Sequence, residues 1–252
     1  ELAVQQSLAT IAHEGAHQVL YNIGVQQRLA AWPMWLNEGL AEFFAPTSTD
    51  RHLKWKGAGY VNDLRMFELE QWLKNRSPED ADGQLLAQTV GAARLTSTGY
   101  AAAWALTHYL AKNHRLKFHA IVRHYSRLRP LEGGGQVVPP GVIPENVRVF
   151  KAYFGDDLAD LERRMILHLK NQPYVDPFKE WPHFVAMISL SAGRRERRQA
   201  EVFHTPEQAE RWRSEMVDRV PEQQRPAIQS TVRQFPNRIL AERYARQWLD
   251  GS

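Results

Sequence analysis

His13-Glu14-Gly15-Ala16-His17 limits what this chain can become more than any other stretch. Residues four apart share one face of an α-helix. The apolar spacing of Leu8, Ile11, Ala12, Val19 and Leu20 predicts a helix over 2–21, so both imidazoles reach one metal ion. Zinc fits that pair: neutral imidazole nitrogens suit it, and two ligands on one helix leave room for a third protein ligand and a water, as in catalytic sites. Glu14 then flanks the water as its general base. A motif this short arises by chance in about a few per cent of chains of this size, so a second signal is needed.

That signal is Trp35-Leu36-Asn37-Glu38-Gly39-Leu40-Ala41-Glu42-Phe43-Phe44. It predicts a second amphipathic helix over 34–44, entered from a loop marked by Gly24 and Pro33 and ended by Pro46. A helix, a reversing loop and a second helix return the Glu38 carboxylate to the metal. Asn37 has two readings, either a residue that holds the glutamate or a substrate backbone, or a local helix-start residue.

Taken together, His13-Glu14-x-x-His17 and Asn37-Glu38-Gly39-x-Ala41 resemble the gluzincin clan of zinc metallopeptidases, which includes thermolysin-like enzymes and the leukotriene-hydrolase type of aminopeptidase. The longer run, on to Tyr100-x-x-x-Trp104-x-Leu106-x-x-Tyr109-Leu110, is similar to a bacterial domain family of unknown function in the same clan, over roughly residues 1–170. The resemblance implies a mainly α chain with a thermolysin-like helical catalytic lobe, and Glu38 as third zinc ligand. It implies that Glu42, four residues on, orients a metal-bound histidine, against the plain reading of a solvated surface glutamate. It also implies that Tyr100 stabilises the oxyanion, against a packed aromatic beside Trp104.

Beyond the motifs, 252 residues with 43% apolar content can bury a substantial core. Charge is nearly balanced at +4, and the excess arginine is too diffuse to announce nucleic acid as a partner. The densest patch, Arg194-Arg195-Glu196-Arg197-Arg198, reads as a solvated hairpin turn. The sequence contains no cysteine, so disulfides and Cys-ligated metals are excluded. No apolar run reaches the roughly 18 residues that span a bilayer, and no signal peptide is visible. Starting at Glu1 without Met, the chain reads as a processed or excised piece, because gluzincins carry a β-rich lobe before this helix; export to the periplasm or beyond follows from the same resemblance.

Helical patterns recur at 61–74, 100–113, 117–127, 145–154 and 158–171. The glycines 133–135, with Pro139, Pro140 and Pro144, read as a surface loop inside the first domain. The 173–182 connection marks a boundary between a helical domain, 1–175, and a small α/β domain, 176–252. In the latter, strands are expected at 183–191, 198–203 and 227–235 and helices at 206–217 and 238–249, with no internal repeat. His108, His114, His119 and His124 are too irregularly spaced for a second metal site and read as surface or helix-end residues; Trp32, Met34 and Trp35 read as core or as a pocket wall.

The expected activity is zinc-dependent hydrolysis of peptide or protein substrates, with His13, His17 and Glu38 holding the metal and Glu14 moving the proton. The alternative is a peptidase-like binding or scaffold module that keeps the metal-site fold without turnover. Retention of Glu14 weighs against it, since loss of the base is the simplest route to an inactive form.

Overall fold

The computed structural model describes residues 2–47, 54–76, 81–132, 143–192 and 195–250. The glycine–proline loop expected over 133–140 and Arg194 lie outside the described residues. The chain divides into two compact units, Glu1–Asp176 and Pro177–Ser252. It is mainly helical, and no helix among the described residues is long and apolar enough to cross a membrane.

The first unit holds α1 (Leu2–Asn22), α2 (Met34–Phe44), α3 (Asp63–Asn75), α4 (Gln84–Gly91), α5 (Ser97–Asn113), α6 (Arg115–Ser126), α7 (Glu145–Phe154) and α8 (Leu158–Lys170). Its centre is α5, buried without interruption from Ala101 to Leu110, with α2, α3, α4, α6 and α8 packed around it. Thr96 caps α5, its hydroxyl accepting from Gly99 N at 3.2 Å. The run Ala101-Ala102-Ala103 keeps one face of α5 low, and Gly39 on α2 presses against it at the Ala103 carbonyl. Trp35, Leu36, Trp104, Phe150 and Met165 fill the core, so Trp32 and Trp35 belong to packing rather than to a pocket.

Three expectations change here. Ile11 and Val19 are exposed, at 67% and 56%, whereas Leu20 is buried as expected and Ala16 and His17 are buried with it. α1 turns its histidine side to α2, where Ala41 and Ala45 pack on Ala16 and Glu38 meets both imidazoles. α4 was missed, being only 8 residues long and too short for its period to register. His108 is 1% exposed rather than superficial, whereas His119 and His124 are exposed and His114 sits at the junction of α5 and α6.

The second unit contains β1 (His183–Ala192), β2 (Arg195–Phe203), α9 (Pro206–Asp218), a 3-10 turn (Glu222–Ala227), β3 (Ile228–Phe235) and α10 (Arg238–Asp250). The sheet order is β2-β1-β3, antiparallel throughout. Alternate side chains of β1 face opposite ways: Val185 and Met187 pack with Ala241 and Ala245 of α10, while Ala186 packs with Phe203 and with Ala209 of α9. The helices therefore cover opposite faces of the sheet. Because β2 begins at Arg195, most of the arginine cluster lies on a strand rather than in the turn.

A repeat that was not expected also emerges. β2–α9 and β3–α10 are the same strand–turn–helix unit, with Phe203 matched by Phe235, Ala209 by Ala241 and Trp212 by Tyr244. Thr205 and Asn237 occupy the same helix-start position, each accepting from a backbone N–H three residues on. Phe203, Ala209, Glu210 and Arg211 recur 32 residues on as Phe235, Ala241, Glu242 and Arg243, so the period is present in the sequence itself and the expectation of no internal repeat is corrected.

Candidate metal centre

α1 and α2 meet along a stripe of small residues, Ala12, Ala16, Ala41 and Ala45, close enough for side chains one turn away to converge. His13 Nε2 lies 3.1 Å and His17 Nε2 3.4 Å from the same oxygen, Glu38 Oε2. The three donor atoms fall within 4.8 Å of one another. Bonds of about 2.0–2.1 Å in a tetrahedral zinc site put neighbouring donors about 3.3 Å apart, so these spacings fit two edges of such a polyhedron. Asn37 Nδ2 donates to Glu38 Oε1 at 2.8 Å, holding the carboxylate so that Oε2 faces the histidines.

Glu42 is buried at 4% exposure, not solvated. Its Oε1 stands 3.1 Å from His13 Nδ1, off the line of a strict hydrogen bond but in direct electrostatic contact. Arg65 Nη2 donates to Oε1 at 2.6 Å and Asn62 Nδ2 to Oε2 at 2.8 Å. Two phenols flank the cluster. The ring of Tyr100 lies 6.1 Å from that of His13, and the ring of Tyr21 stacks on His17 at 6.2 Å and 21°. Glu14 is exposed on α1, outside the donor cluster, and its negative charge acts on both phenols.

Burial disfavours charge on the His13 ring, yet a carboxylate oxygen at each nitrogen outweighs it and raises the ring's pKa to about 9. Burial likewise opposes ionisation of Glu38, but contacts with His13 and His17 win and hold it down at about 2. Burial opposes Glu42 as well, and His13 and Arg65 keep it ionised. Tyr100 and Tyr21 are both raised, first by burial and then by the Glu38 charge. Without metal, a proton on His13 therefore holds the cluster together.

This arrangement fixes a pH dependence. In metal-free protein the His13 contribution to stability is fully present below the ordinary value of 6.5 and is lost as pH rises through about 9. The Glu38 contribution is present above 4.5 and is lost only as pH falls through about 2. A metal needs the Nε2 lone pair, so its stabilisation grows over the interval in which the proton's fades. Melting chelated and zinc-loaded samples between pH 6.5 and 9 should show the first Tm falling by a few degrees and the gap to the second widening. A chelated Tm that stays flat or rises there rules out the shared proton.

Residues 7–132 match a family whose description is "Protein of unknown function (DUF1570)". The chain belongs to the DUF1570 family. The DUF1570 segment takes in both cluster helices, α3 with Arg65, and α5 with Tyr100. No curated protein and no solved structure matches the chain.

The fold places His13, His17, Glu38, Asn37, Glu42 and Tyr100 in one neighbourhood. Sequence reasoning missed Tyr21, although it stands four residues after His17 and extends the same helical face by one step. It also missed Arg65 and Asn62, which come from α3 and its cap and carry no local signal. Other possible oxyanion donors lie elsewhere. Tyr60 is 62% exposed, while Tyr109 and His108 join His114 and His168 in a separate group. There Asn113 Nδ2 donates to His168 Nδ1 at 3.1 Å, so His168 Nε2 carries the hydrogen and donates to His108 Nδ1 at 3.2 Å. Burial, then the charges of His168 and Lys112, lower the His108 pKa to about 4.

Proposed function

We propose that the chain is a zinc-dependent peptidase of gluzincin type. The observation that carries this reading is the convergence of two imidazoles and one carboxylate at zinc-like spacings, with one histidine backed by a buried acid. His13, His17 and Glu38 would hold the metal. When bound, zinc would polarise the scissile carbonyl and lower the pKa of its water to about 7. Glu14 takes the proton from the attacking water and delivers it to the leaving amine as the C–N bond breaks. Tyr100, beside His13, donates a hydrogen bond to the oxyanion of the tetrahedral intermediate.

Elemental analysis of the purified chain, together with a peptide-library cleavage assay with and without chelator, tests the reading. One zinc per chain and chelator-sensitive cleavage support it. Full metal uptake with no cleavage favours the binding module instead, and no uptake removes both. Tyr100→Phe keeps the ring and deletes only the donor. It should lower kcat by about a hundredfold while leaving zinc content and KM nearly unchanged. Turnover close to the original rate would pass the role to Tyr21, whose ring lies on the opposite histidine.

A further inference from the structure

We propose that Arg65 is a positioning residue of this centre, a guanidinium fork on α3 that fixes the Glu42 carboxylate and, through it, the ligand His13. The inference rests on the metal-binding half of the reading above and needs no turnover.

The fork is held on three sides. Nη2 donates to Glu42 Oε1 at 2.6 Å, Nη1 donates to Glu68 Oε2 at 2.8 Å, and the plane lies over the Tyr100 ring at 5.2 Å. Glu68 is itself anchored, its Oε1 accepting from Ser97 Oγ at 2.7 Å in the first turn of α5. The backbone is tied too, with Arg65 N donating to Asn62 Oδ1 at 3.2 Å, while Asn62 Nδ2 reaches the other oxygen of Glu42. Both Glu42 oxygens are therefore fixed by one end of α3, so the carboxylate cannot rotate and Oε1 stays at His13 Nδ1.

That contact sets the orientation of the imidazole whose opposite nitrogen faces Glu38. The geometry uses a planar fork whose two nitrogens donate to two different carboxylates. A lysine ammonium is a point charge and cannot brace Glu42 and Glu68 together while covering an aromatic face.

The probe is zinc alone, titrated against a competing chelator at one pH, with cobalt absorption as a report on ligand geometry. Arg65→Met should weaken zinc binding by about tenfold or more and shift the cobalt bands, and Arg65→Lys should recover only part of that loss. Glu68→Leu removes the acceptor of the other arm without touching Glu42, and should cost clearly less zinc affinity than Arg65→Met because the Nη2 arm still holds Glu42, separating ligand positioning from mere attachment of α3. Circular dichroism of each metal-free variant shows whether the helices survive. Unchanged affinity in Arg65→Met, full recovery in Arg65→Lys, or an equal loss in Glu68→Leu each overturns the proposal. If Arg65→Met does not fold, partial loss in folded Arg65→Lys still decides for it and none decides against it. Wild-type protein that takes up no zinc overturns this proposal and the peptidase reading together, whereas wild-type that binds zinc without cleaving peptides overturns only the latter.

Discussion

Glu14→Gln is expected to keep a full equivalent of zinc and to lose peptide turnover by about a thousandfold. Glu14 lies on the exposed side of α1, outside the three-donor cluster, so its amide takes no bond from the metal. What disappears is the proton acceptor. Glu38→Gln should do the opposite first, because Glu38 Oε2 is the oxygen that both histidines face, and an amide there is a much poorer zinc ligand. Metal content and single-turnover rate, measured on both variants, separate the roles. Equal metal loss in the two would overturn that division, and undiminished turnover in Glu14→Gln would overturn the mechanism.

Gly39→Ala is expected to destabilise the first unit by about 3 kcal/mol and to weaken zinc binding as well. A Cβ at this position falls 2.6 Å from the Ala103 carbonyl oxygen and still closer to Thr107 Oγ1. The threonine hydroxyl can rotate away, but the carbonyl belongs to the backbone of α5, which is buried over its whole middle stretch and has no room to retreat. α2 must then lift from α5. Glu38 and Glu42 lift with it, since they stand on either side of Gly39 on the same short helix. Thermal melting of the chelated protein and a zinc titration read the two effects. A variant within about 0.5 kcal/mol of the parent, with unaltered zinc affinity, would mean that the α2–α5 contact tolerates a methyl group and that Gly39 is not there for packing.

The helical parts of the chain were legible because their signals are local. α2, α7 and α9 run within a residue or so of where apolar period and capping residues put them. The site was legible for a similar reason: His13 and His17, and then Glu38 and Glu42, are pairs at one helical turn, and i,i+4 spacing alone puts each pair on a common face. The same rule would have found Tyr21. It fails for α1's buried side, because Ile11 and Val19 look like core by composition, whereas the face that packs on α2 is the one carrying Ala12, Ala16, His13 and His17. It fails for His108, whose neutral buried state depends on a partner from α8.

By itself, then, the sequence determined which side chains share a helix face, where most helices begin and end, and that two such faces carry residues of metal-ligating type. The meeting of those faces was a tertiary matter. A single helix can bring His13 and His17 together, but only the packing of α2 on α1 through Ala12, Ala16, Ala41 and Ala45 brings Glu38 to them, on a helix that Gly39 lets sit close to α5. Arg65, Asn62 and Glu68 became part of the centre only when α3 docked, because the contacts that tie them to it, Asn62 and Arg65 to Glu42 and Glu68 to Ser97, span separations at which sequence spacing carries no geometric information. Helix periodicity is set by the backbone within one turn, whereas the distance between two helices is set by the volume of the side chains packed between them.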